Sequence, residues 1–138
     1  CRPLVSMAEL RAFIAGFPQE QVGLCLDTGH ACISGLDPAE QAGVASERLF
    51  ALHIQDVDGQ NDCHWLPGRG VIDWPALGAV LSNIGFSGAW TIEALISRTE
   101  ASRKEVTEES VVLCERWAKD GMGNMEMENG KWKMRNGK

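Results

Sequence analysis

Two histidines and three aspartates crowd the centre of the chain. His53, Asp56, Asp58, Asp62 and His64 all fall within LFALHIQDVDGQNDCHWLPGRGVIDW, residues 49–74. Imidazoles and carboxylates are the side chains that bind divalent cations and move protons near neutral pH. The stretch opens as a short apolar strand and turns polar at His53, and parallel α/β proteins place chemistry at the C-terminal ends of strands. The same pattern recurs twice. VGLCLD, residues 22–27, runs into Asp27-Thr28-Gly29-His30, and AWTIEA, residues 89–94, delivers Glu93 near its end. The plainer reading of residues 49–74 is a polar surface loop with incidental histidines. Two of the chain's three histidines standing among carboxylates favour a site.

Helices must separate these strands if the sheet is parallel. Ser6 with Glu9 is a capping-box pattern, and Leu10, Phe13, Ile14 and Phe17 form an apolar stripe before Pro18. Asp37-Pro38-Ala39-Glu40 starts a second helix that should end near Arg48, and Asp73 caps a third through Asn83, closed by Gly85. A fourth helix is expected from about Ala101 to Lys119, with Val106, Leu113 and Trp117 buried. Helix, strand, helix, strand, helix, strand, helix is the order of a parallel sheet with right-handed crossovers.

Strand alternation sorts the side chains. If Asp27, His53 and Glu93 share one face, Gly23, Cys25, Ala51, Gln55, Ala89 and Thr91 share it too. Val22, Leu24, Leu26, Leu52, Ile54, Trp90 and Ile92 then take the other. One face is small or polar and the other bulky, which suits a barrel interior leading to a pocket.

Composition narrows the class. The 44% hydrophobic content of the 138 residues fits a globular core, and no apolar run approaches a membrane helix. A net charge of -6 argues against a surface that tracks phosphates, so no nucleic-acid partner is expected. Five cysteines without framework spacing suggest reduced thiols and a cytoplasmic location. Cys25, Cys32 and Cys63 are read as packing residues, because no CxxC spacing supports a thiolate site. The start at Cys1, without a signal peptide, suggests a segment of a longer or processed chain.

LCLDTGHA, LHIQD, Asp62-x-His64 with Pro67-Gly68-Arg69-Gly70-Val71-Ile72-Asp73-Trp74, and Thr91-Ile92-Glu93 together resemble the xylose isomerase-like TIM barrels of the sugar phosphate isomerase/epimerase superfamily. The resemblance runs over residues 6–118. It implies parallel βα repeats forming the last three strands of a (β/α)8 barrel, incomplete in this chain, with residues 1–120 as that barrel portion. It further implies a divalent metal, Mn, Mg or Co with Zn as an alternative, held by Asp27, His53 and Glu93. A further Glu ligand would lie on a strand before Cys1. Glu93 would double as the acid/base group of proton transfer next to the carbonyl of a ketose or related sugar. His30 resembles a substrate-contacting histidine, and the turn holding Arg69 resembles the segment that closes over the sugar. Asp62 and His64 would serve a second metal or support the first. With one base missing, the chain alone is expected not to epimerise sugar.

Two alternatives stay open. Asp27/His30 and Asp62/His64 also resemble the Asp-x-x-His and Asp-x-His of the endonuclease IV type of zinc phosphodiesterase. The other alternative is a non-catalytic fragment that associates through open sheet edges, as a homo-oligomer or with the missing N-terminal half of a barrel. Residues 121–138 form a tail in which MEMENGKWKM suggests a type I′ hairpin about Asn129-Gly130, with disorder as its alternative. The expected register sets Met125 opposite Met134, Glu126 opposite Lys133, Met127 opposite Trp132 and Glu128 opposite Lys131.

Overall fold

A computed structural model of the chain describes residues 6–95, 103–121, 125–128 and 131–134. Its elements in order are α1 (Met7–Phe13), β1 (Leu24–Asp27), α2 (Thr28–Ile33), α3 (Pro38–Ala45), a 3₁₀ turn (Ser46–Arg48), β2 (Leu49–Ile54), α4 (Trp74–Asn83), β3 (Ala89–Ile92) and α5 (Arg103–Asp120). β1, β2 and β3 pair in parallel in that order, so β2 is central and its neighbours are edge strands among the described residues. This is an open run of βα units, the architecture expected of part of a barrel. A separate ribbon, β4 (Met125–Glu128) with β5 (Lys131–Met134), is antiparallel in the expected register, Met127 facing Trp132 and Glu128 facing Lys131. The turn residues Asn129 and Gly130 lie outside the described residues.

Caps set the helix starts. Ser6 Oγ accepts the Glu9 N–H at 3.3 Å while the Ser6 N–H donates to Glu9 Oε2 at 3.0 Å, a reciprocal box. Asp37 and Asp73 each accept the N–H three residues on, at 2.9 Å, and proline at the helix start loses no bonded amide. Leu24, Leu26, Leu52 and Ile54 project from the sheet into one core with Ala42, Ala45, Trp74, Leu77 and Leu81 of the helices. Val106, Leu113 and Trp117 of α5 are buried as expected, and Trp117 stacks on Trp74 with ring centres 6.0 Å apart.

The structure departs from the sequence expectations in three places. The buried stripe of α1 is Met7, Leu10 and Ile14, not one that includes Phe13 and Phe17. At about 100° per residue Phe13 falls roughly 120° from Met7, and the helix has ended before Phe17, so both rings are exposed. The six-residue helix α2 was not expected; Asp27 caps it through the His30 N–H. Trp90, expected on the covered face, is 37% exposed because α5 leaves a cleft of about 530 Å³ beside it, lined by Ile54, Phe86, Ile92, Cys114 and Trp117.

Arg11 ties α1 to the end of α3. Its Nη1 donates to the carbonyls of Val44 and Ala45 at 3.0 and 2.8 Å, and its Nη2 pairs with Glu47 at 2.8 Å. The Arg11 hydrogen bond, with help from nearby backbone and Ser46 donors, holds the Glu47 carboxyl at about 2 against an ordinary 4.5. A depressed carboxyl stabilises the fold above its ordinary value and loses that contribution as pH falls through its folded value. The melting temperature of Glu47→Gln should therefore lie below wild type at neutral pH, and the gap should close as pH falls from about 5 toward about 2. A gap independent of pH would contradict this.

Candidate metal centre

The parallel register sets the site. Asp27 stands beside His53, and His53 beside Thr91, so side chains at these positions point to the same face. Glu93 follows two residues after Thr91, just past β3, where its N–H donates to the Ile54 carbonyl at 2.9 Å. Asp27, His53 and Glu93 thus converge, each offering one ligand atom within 4.8 Å of the others. His53 Nδ1 lies 3.1 Å from Glu93 Oε1. Exposure rises from Asp27 (16%) through Glu93 (29%) to His53 (42%), so the group opens toward solvent on one side. Two carboxylates and one imidazole are a donor set suited to Mn, Mg or Co, and also to Zn.

A second group gathers His30, Asp62 and His64. His30 links the two, with Nδ1 3.2 Å from Asp27 Oδ2 and Nε2 3.4 Å from Asp62 Oδ1. His64 has the left-handed φ of 51°, an uncommon backbone state for a residue with a Cβ. Several contacts hold it there. Its N–H donates to Gln55 Oε1 at 3.2 Å, its carbonyl accepts the Leu95 N–H at 3.0 Å, and its Nδ1 lies 2.8 Å from the Glu93 carbonyl oxygen. A carbonyl can only accept, so Nδ1 carries the hydrogen. This leaves Nε2 facing Asp62 Oδ1, 3.1 Å away, in reach of a shared cation when the ring is neutral and of a direct hydrogen bond when it is protonated. Arg69 is not drawn into either group: its Nη2 pairs with Glu109 of α5 at 2.6 Å.

The polar loop between β2 and α4 is shaped by Gln55, Asp56 and Asp58; the two aspartates, grouped by the sequence with the metal-binding and proton-moving side chains, fall in neither ligand group. Asp56 is fully buried. Its Oδ2 accepts from the N–H of Gly68 (2.7 Å) and Gly70 (2.9 Å) and from Trp74 Nε1 (2.9 Å), and its Oδ1 from the N–H of Val57 (3.0 Å) and Ile72 (3.3 Å). A Cβ at Gly70 would overlap the Val57 carbonyl and the Asp56 carboxylate, so glycine is needed for this approach. Asp56 also exchanges two backbone hydrogen bonds with Trp65, at 2.8 and 2.9 Å, which seats His64 next to the strand end. Gln55, also fully buried, reaches Asp27. Asp58 opens the loop as a turn; hydrogen bonds from the Asn61 side chain and from the N–H groups of Asn61 and Gln60 hold it at about 2. Cys25, read from the sequence as a packing residue, is exposed; partial desolvation of its sulfur, reinforced by Asp27, pushes the thiol up.

A sequence profile described as xylose isomerase-like TIM barrel matches residues 1–117. The chain belongs to that family. Among curated proteins it is 29% identical over 92 residues to the rhizopine catabolism protein MocC of Rhizobium meliloti, covering 54% of this chain and 28% of that protein. A crystal structure of D-psicose 3-epimerase in the presence of D-fructose superposes with a TM-score of 0.69 at 21% identity, covering 89% of this chain and 46% of that one. D-allulose 3-epimerase from Methylomonas sp., in complex with D-allulose, gives 0.57 at 26% identity over 66% of this chain and 30% of that one. These likenesses establish an α/β fold that is part of a barrel whose sheet is not closed. The chain spans less than half the length of each of these relatives. Among the described residues, no helix is long and apolar enough to cross a membrane.

The hydrogen bonds of Asp56 make it a stability determinant for the loop. Asp56→Asn turns one acceptor into a donor facing N–H groups, and should cost at least about 2 kcal/mol in urea denaturation. Asp58→Asn, on the exposed turn, should cost far less. Equal losses would contradict the assignment.

Proposed function

We propose that this chain supplies the metal-binding, late-strand portion of a sugar isomerase or epimerase. Asp27, His53 and Glu93 would hold one divalent ion, Mn, Mg or Co, with Zn as the alternative. The observation that carries this reading is the convergence of these three side chains at the ends of adjacent parallel strands. The family membership and the sugar 3-epimerases among the structural neighbours support it.

A divalent ion bound there supplies Lewis-acid polarisation of a ketose carbonyl and its neighbouring hydroxyl. The remaining roles belong to side chains. Glu93 is the base that takes the proton from the carbon next to the carbonyl, and His53 Nδ1, 3.1 Å from Glu93 Oε1, fixes where that oxygen lies. His30, the most exposed of the three histidines, is placed to touch substrate hydroxyls. Asp62 and His64 support the rim of the site or hold a second cation. Arg69 reaches substrate only after leaving Glu109, so its substrate role is the part of the proposal that needs a rearrangement. Turnover is proposed for a completed barrel and not for this chain by itself. The edges of β1 and β3, unpaired among the described residues, favour association with another copy or with further barrel strands. Four free cysteines among the described residues support a cytoplasmic location.

The His30–Asp62–His64 group favours a second reading, a zinc phosphodiesterase of the endonuclease IV type. The net charge of -6 weighs against it, since such an enzyme must hold a polyanion.

Calorimetric titration of the chain with Mn²⁺ tests the first reading. Wild type should bind, and His53→Ala should weaken binding at least about tenfold, a loss of about 1.4 kcal/mol. Equal affinity in both proteins would overturn the ligand set.

A further inference from the structure

We infer that Gln55 is a positioning residue that locks Asp27 and His64 into one unit, so that the two ligand groups are set by a single buried amide. This deepens the metal reading above and rests on it for the role of Asp27 as a ligand.

The side-chain amide has one allowed orientation. A carboxylate only accepts and a backbone N–H only donates, so the end of Gln55 facing Asp27 must be Nε2 and the end facing His64 must be Oε1. The distances agree: Nε2 lies 3.1 Å from Asp27 Oδ1 and 3.4 Å from Oδ2, and Oε1 lies 3.2 Å from the His64 nitrogen. The backbone of Gln55 is fixed as well. Its N–H donates to Thr28 Oγ1 at 3.0 Å, and Thr28 Oγ1 donates to its carbonyl at 2.7 Å. Both residues are fully buried, so water does not compete for these bonds.

Gly29 is the second observation. A Cβ there would come within 2.6 to 2.8 Å of the Gln55 side-chain amide, so the first turn of α2 leaves room for that amide and nothing larger. Asp27, Thr28 and Gly29 together form a cradle for one side chain from the neighbouring strand. Asp27 Oδ1 is consumed by the α2 cap and by Gln55, while Oδ2 faces His30 Nδ1 at 3.2 Å, so the carboxylate is held from both sides. The outer partner of a ligating carboxylate fixes its orientation, and removing such partners costs affinity.

Two variants test this. Gln55→Met removes both polar ends at nearly constant volume, and Gly29→Ala keeps every polar group while displacing the amide. Each should weaken Mn²⁺ binding by about 10- to 100-fold. Each should also speed hydrogen exchange at the His64 amide, followed by NMR on the metal-free chain. Affinity within about twofold of wild type together with unchanged His64 exchange would overturn the inference, even if the melting temperature fell. Failure of the wild-type chain to bind Mn²⁺ would sink the metal reading and not this coupling, because His64 exchange is measured without metal and decides it.

Discussion

The parallel pairing of β1, β2 and β3 is the constraint on which the rest depends. Two residues in register on neighbouring strands point the same way, and Asp27 is in register with His53, which is in register with Thr91. Polar side chains on three strands are thereby brought to one face without any contact between residues close in sequence. A slip of one residue in β2 would turn His53 into the helical layer and expose Leu52 and Ile54, both fully buried. The apolar face therefore enforces the geometry of the polar one.

Where β2 ends, two successive buried polar residues divide the work. Gln55 turns toward Asp27 and the His64 backbone, and Asp56 turns toward the N–H groups of Gly68, Gly70 and Ile72 and the Trp74 indole. One braces the candidate ligands, and the other folds the loop that carries Asp62 and His64 back onto the sheet. Burying such groups is costly unless each finds partners, and here both do. The helical layer joins in through Trp74, whose indole bonds Asp56 while its ring stacks on Trp117 of α5.

Features with local physical causes were legible in the sequence. Caps at Ser6, Asp37 and Asp73, the three strands, and the ribbon register about Asn129-Gly130 follow from neighbours a few residues apart. The gathering of Asp27, His53 and Glu93 on one face entered the sequence reading only as a condition, with the family resemblance naming the three residues; alternation sorts side chains within one strand, and it is the register between strands that brings them together. The short helix α2 was not, because six residues carry too little periodicity to show a face. Phe13 was assigned to the buried stripe on hydrophobicity, whereas the angle set by Met7 and Ile14 turns it outward. Gln55 and Asp56 stood in view, but their partners lie up to 28 residues away, and no local pattern announces bonds of that kind.

The most direct measurement is a crystal structure of the chain grown with Mn²⁺ and recorded for anomalous scattering. The account predicts a strong peak bonded to Asp27, His53 and Glu93 at distances of about 2.0–2.3 Å. Manganese seated only among His30, Asp62 and His64, or no ordered metal at all, would contradict it.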